Sequence, residues 1–136
     1  MYENEYLETQ VMTAPGPQLH LMVVDGSIRF ARQGKLALQE KDFELSHECL
    51  NRSREFLSEM ISGLNPEVAP EMVGSLKQLF AYIYRELALA DIDHQPEHID
   101  KAIQVLEKHR AAWVELIEQL PAQFMQKNEA PTDWQS

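Results

Sequence analysis

The stretch PQLHLMVVDGSIRFARQGKLALQ, residues 17–39, decides the fold. Its apolar residues recur at the 3.6-residue period of an α-helix, and they do so twice. Leu19, Met22, Val23, Gly26, Phe30 and Ala37 fall on one side. Leu21, Val24, Ile28, Ala31 and Leu38 form a second stripe, roughly a third to half a turn further round. A surface helix in a small domain needs one such stripe. Two stripes have two readings: a bundle of uneven cross-section buries both, or one is kept as a groove for another apolar helix.

Proline and glycine set the boundaries on either side. Pro17 opens this helix at its first turn, where a missing N–H costs nothing, with Gly16 as the capping residue. QEKD follows, and Asp42 is placed to cap a second helix from about Phe43 to Leu64. GLNPEVAP, residues 63–70, breaks the chain before a third helix that starts near Val68 or Glu71 and runs to about Ala90. DIDHQP, residues 91–96, is the next break, and Pro96 opens a fourth helix that Pro121 ends near Leu120. No period-two segment bracketed by hairpin turns reads as a strand. Four helices of similar length with short connections predict an all-α, antiparallel four-helix bundle over residues 17–120. It is preceded by a segment of residues 1–16 and followed by a polar tail of residues 121–136, read as mobile.

The second helix gathers Phe43, Leu50, Leu57, Ile61 and Leu64 on one face, widened by Cys49, Phe56 and Met60. The fourth does the same with Ile99, Ala102, Ile103, Leu106, Trp113, Leu116, Ile117 and Leu120. The third repeats the surplus of the first. Met72, Leu76, Leu79, Ile83 and Ala90 make one face; Val73, Phe80, Tyr84 and Leu87 make an adjacent one. Burying one Leu or Phe is worth ~1.5–3 kcal/mol, so four or five left in water would forgo an amount comparable with a domain's whole margin of ~5–15 kcal/mol.

Composition narrows the function. The 136 residues carry a formal net charge of -10, which argues against a general nucleic-acid binder and against docking on anionic lipid. The lone Cys49 allows no intrachain disulfide and reads as a small buried residue. The acidic start MYENEYLETQ has no signal-peptide pattern, and no apolar run approaches the ~20 residues of a membrane span. The expected location is the cytoplasm.

Candidate chemistry is thin. Glu44-x-x-His47 has the spacing of di-iron carboxylate bundles, but those need the motif twice and two further inward carboxylates. DIDHQPEHID, residues 91–100, is rich in potential ligands, yet His94 precedes the helix-opening proline and does not pair with His98 on one helical face. It reads as a solvated turn with acidic residues near a helix N-terminus. HIDKA, residues 98–102, resembles phosphotransfer bundles, in which a helix-borne histidine carries a phosphoryl group. Here the neighbours Glu97 and Asp100 would repel phosphate, Ala102 stands where that family has glycine, and His98 sits in a first turn rather than mid-helix. A phosphotransfer domain using His98 is the alternative reading. No nucleophile elbow or Gly-rich phosphate loop is present, so no enzyme, metal or cofactor is expected.

Taken in order, the segments resemble the flagellar secretion chaperone family, FliS. YENEYLETQVMTA precedes a proline-started helix containing LMVVDGSIRFARQGKLAL. KDFELSHECLNRSREFLSEMISGLNPE matches the second helix and its break. SLKQLFAYIYRELALADI matches the third, with its Tyr-x-x-Arg-x-Leu run, and VLEKHRAAW brings the late Trp113. The resemblance covers about residues 2–120. Gly16 stands where the family often has Ser, and Val24 where it often has Tyr before Asp-Gly.

The resemblance implies a bundle that binds the disordered C-terminal segment of flagellin as helices, keeping it from polymerising before type III export. It implies the export gate and an anti-sigma regulator as further partners. Tyr6, Leu7, Val11 and Met12 would belong to a movable N-terminal cap and partner surface. Leu21, Val24 and Ile28 on the first helix, with Val73, Phe80, Tyr84 and Leu87 on the third, are the expected groove.

Overall fold

A computed structural model describes residues 16–67 and 69–119. The cap residues Tyr6, Leu7, Val11 and Met12 and the tail lie outside this range, as does Leu120. Among the described residues the chain forms four helices, α1 (Pro17–Gln39), α2 (Phe43–Ser62), α3 (Pro70–Asp93) and α4 (Pro96–Glu118). α1 packs on α2 and α4, and α3 packs on α2 and α4, so the order around the bundle is α2, α1, α4, α3. The fold class read from the periodicity is the one observed.

Local chemistry explains the boundaries. Gly16 caps α1 with φ 147°, a backbone region open to glycine, and its carbonyl accepts from the His20 N–H. α1 ends in a Schellman-type turn: the Asp42 N–H donates to the Ala37 carbonyl and the Lys41 N–H to that of Leu38, with Lys41 at φ 62°. Asp42 then caps α2 by accepting from the Leu45 N–H at 3.2 Å. α3 runs about one turn beyond its expected end, because Pro96 restricts only Gln95, which is extended at φ -109°. Asp91, Ile92 and Asp93 are therefore helical, and His94, at φ 55°, makes the turn. The His94 ring stacks on Phe43, centroids 4.1 Å apart, tying the end of α3 to the start of α2.

The two stripes of α1 are both covered from within the bundle. Val24, Ile28, Ala31 and Leu38 join the central core with Leu50, Leu57, Phe80, Ile83, Leu87, Ile99 and Leu106. Gly26, Phe30 and Gly34 face α2. A Cβ at Gly26 would stand 2.9 Å from the Phe56 ring, and one at Gly34 would stand 2.8 Å from Leu50. That absence of side chain lets the helices approach closely. Phe30 stacks on Phe56, and Cys49 lies buried beside Gly34. Ser27 and Ser53 meet across the same seam: the Ser53 hydroxyl donates to the Ser27 carbonyl at 2.8 Å and the two hydroxyls lie 2.9 Å apart.

Leu50 is fully buried, with its Cδ2 2.8 Å and its Cγ 3.0 Å from a Cβ added at Gly34, whereas Gly74 on α3 has open space around it. Gly34→Val is expected to destabilise the fold by about 2 kcal/mol or more through overpacking, while Gly74→Ala stabilises it by about 0.5–1 kcal/mol through helix propensity. Urea unfolding of the two variants beside the parent measures both; equal midpoints would refute the account of the α1–α2 seam.

Candidate functional site

The expected groove residues divide sharply. Val24, Ile28, Val73, Phe80 and Leu87 are buried in the core, with Val24, Phe80 and Leu87 showing no exposed surface. Leu21 is half-buried against the core, and Tyr84 is 40% exposed. These seven are not brought together on one open face. The reason lies in how the helices are rotated. α1 places its supposed spare stripe inward, because Gly26 and Gly34 turn the other stripe toward α2. α3 likewise turns Val73, Phe80 and Leu87 inward.

Besides Tyr84 and Ile92, α3 leaves open part of the face that its periodicity marks as core. Met72 is 41% exposed, and Leu76, Leu79 and Tyr82 are half-buried, following one another at spacings of four, three and three residues. Ile83 and Ala90 on the neighbouring positions are fully buried. On α4 the half-buried Val105 and Leu116 lie eleven residues apart, hence on one face. The two rows continue into Glu86 and His98, whose Oε1 and Nδ1 atoms are 3.0 Å apart, which shows that they face one another across the α3–α4 seam. The candidate site is this half-open apolar strip. Sequence reading named Met72, Leu76 and Leu79 but assigned them to the interior; the polar end of the row at Glu86 was the available signal.

His98 has a structural place. Its Nδ1 meets the carboxylate of Glu86, which is 6% exposed, and so links α3 to α4. That contact, with Glu97 and Asp100 in the same turn, surrounds the ring with carboxylates that repel a phosphoryl group, and the phosphotransfer reading is set aside. His47 likewise meets Asp91 at 2.6 Å, and Arg54 meets the same carboxylate at 3.2 Å and the Leu87 carbonyl at 3.4 Å, joining α2 to α3. Among the described residues no three His, Cys, Asp or Glu groups converge as metal ligands, and no helix is long and apolar enough to cross a membrane.

A second buried cluster closes the start of α1 against α4, and its two histidines escaped sequence reading. His20 and His109 face each other with Nε2 atoms 2.8 Å apart, one donating to the other. Trp113 packs on His20 at 4.2 Å between centroids and donates its indole N–H to the Pro17 carbonyl at 2.8 Å; the Phe80 ring stands edge-on to His109. Burial, then the neighbouring His109, lowers the His20 pKa to about 3, and burial lowers that of His109 to about 4. Both rings are held neutral. His20 sits four residues before Val24 and seven before Ser27, on the inward face; that register was its signal.

The described residues thus make an all-α four-helix bundle, with polar side chains joining its helices and a part-exposed apolar strip at the α3–α4 seam. The chain belongs to the FliS family: the sequence profile described as flagellar protein FliS matches residues 1–120. Similar proteins carry the name flagellar secretion chaperone FliS. That of Vibrio cholerae is 22% identical over 123 residues, covering 90% of this chain and 88% of the relative. That of Bacillus subtilis is 26% identical over 113 residues, covering 83% and 84%, and that of Salmonella typhimurium 25% over 116, covering 85% and 86%.

The histidine pair sets an acid limit. Because the fold holds both imidazoles neutral, their contribution is fully present above the unfolded value of ~6.5 and is lost as pH falls toward the folded values, at ~1.4 kcal/mol per pH unit for each ring. Urea stability measured from about pH 7 to about pH 5 is expected to fall accordingly, and a His109→Gln variant to show a shallower slope. An unchanged slope in the variant would remove the pair from the account.

Proposed function

We propose that this chain is a cytoplasmic flagellar secretion chaperone whose client is the C-terminal segment of flagellin, bound as helices on apolar surface of the bundle. The observation that carries the reading is the FliS family match over residues 1–120, in a bundle whose α3–α4 seam keeps Met72, Leu76, Leu79 and Tyr82 part-exposed. A client that is disordered alone must offset its ordering entropy by burying apolar area, and a strip along two antiparallel helices offers that area in the form an amphipathic helix uses. Leu21 and Tyr84 keep surface that a client reaches directly. Val24, Ile28, Val73, Phe80 and Leu87 shape the helix faces from beneath.

Capture of this segment would keep flagellin from polymerising before export through the type III gate. The export gate and an anti-sigma regulator are the further partners that go with this reading. Tyr6, Leu7, Val11 and Met12 act in it as a cap over part of the binding surface, and removal of residues 1–12 changes client affinity.

The test is titration of the full chain with a peptide of the flagellin C-terminal segment, followed by calorimetry and circular dichroism. The peptide is expected to gain helicity on binding. The double variant Met72→Ser, Leu79→Ser weakens binding at least about tenfold, from the transfer energy of two apolar side chains, while Ile92→Ser, which is 75% exposed and off the strip, leaves it unchanged. Equal losses for the two variants would move the client elsewhere, and no helicity gain would refute the proposal.

A further inference from the structure

A cleft of about 580 Å³ lies along the outer α1–α4 seam, lined by Asp25, Ile28, Arg29, Arg32, Gln33, Glu107 and Arg110. Its charge runs against that of the molecule. Three guanidinium groups face two carboxylates there, in a chain whose net charge is -10. The residues come together because Asp25, Arg29 and Arg32 recur at helical spacing on α1, opposite Glu107 and Arg110 one turn apart on α4.

Two ion pairs bracket the cleft. Asp25 holds Arg110 through its Nε at 2.5 Å, and Glu107 holds Arg32 through Nη2. Each contact engages one nitrogen of its guanidinium and leaves the other N–H groups of that planar fork available. The pairs also cancel the two carboxylates. Arg29 stands on α1 between them, exposed, beside the Phe30 ring at 5.3 Å, with no acidic partner among the described residues. The cleft therefore presents one uncompensated cation flanked by two oriented forks, with Ile28 as its single aliphatic side chain. A carboxylate finds donors in the bidentate geometry that guanidinium supplies. A seam running along two helices suits a polypeptide segment, and Arg29 and Arg32, three residues apart, match carboxylates one helical turn apart on the partner. At physiological salt the Debye length of ~8 Å confines the repulsion of distant acidic groups, so the local positive field decides.

We propose that this cleft docks an acidic helical segment of a partner protein through Arg29, Arg32 and Arg110. The proposal is separate from the apolar strip on the α3–α4 seam and stands or falls without it. The probe is a fluorescein-labelled helical peptide with glutamates four residues apart, compared with its glutamine counterpart, added to the full chain and followed by anisotropy. Binding is expected for the glutamate peptide alone. Arg29→Glu weakens it about tenfold or more, and Lys77→Glu, the same charge change on exposed α3 surface, has little effect. Both substitutions lie at the surface, and matched melting curves establish that each variant is folded. Equal loss in the two variants would show a diffuse charge effect and overturn the proposal. Full competition by inorganic pyrophosphate at equal charge would make this a small-anion site and overturn it as well.

Discussion

The close approach of α1 and α2 at Gly26 and Gly34 is the constraint from which the rest of the bundle follows. Glycine inside a helix costs about 1 kcal/mol relative to alanine. Here two of them allow the Phe56 ring and the Leu50 side chain to sit against bare backbone. The approach brings the Ser27 and Ser53 hydroxyls within reach of each other and of the facing carbonyls, so both polar groups are satisfied in a buried seam. It also fixes the rotation of α1 about its own axis. Once Gly26, Phe30 and Gly34 point at α2, Val24, Ile28 and Ala31 must point at the core, and Asp25, Arg32 and Lys35 must point at α4.

α4 is joined to α1 by a different kind of seam. From one end to the other its links are the Trp113–Pro17 hydrogen bond, the His20–His109 pair, and the ion pairs Arg110–Asp25, Glu107–Arg32 and Asp100–Lys35. Exposed ion pairs contribute ~0–1 kcal/mol each, so the last three set the register of the helices more than their stability. The aromatic cluster at the other end buries Trp113, His20 and Phe80 and supplies the apolar area. One seam thus holds by shape and the other by pairing, which is why a polar cleft persists in the second and none opens between Gly34 and Leu50.

The helices and most of their boundaries were legible in the sequence, because proline, Asp42 and the 3.6-residue period act locally. Rotation was not. Each apolar-rich helix showed two adjacent stripes, and choosing which one faces inward depends on what the neighbouring helix brings. For α1 the deciding residues are Gly26 and Gly34, whose meaning appears only beside Phe56 and Leu50. For α3 the core takes Val73, Phe80, Ile83 and Leu87, while Met72, Leu76 and Leu79 stay part-exposed in the row that ends at Glu86, buried against His98 of α4. The stripe read as spare on each helix is therefore the one the core uses. The end of α3 was misjudged for a simpler reason: three acidic or polar residues at 91, 93 and 94 look like a loop, yet only Gln95 is denied helical geometry by the proline that follows.

Cys49 has a practical consequence. It is the single sulfur nucleophile in the chain, it is packed beside Gly34, and burial together with Glu48 and Asp42 raises its pKa. At neutral pH it stays a thiol hidden under α1, slow toward maleimides and toward air oxidation. A cysteine engineered on any outer helix face would consequently be the one site to take up a dye or spin label, with the parent residue left in place.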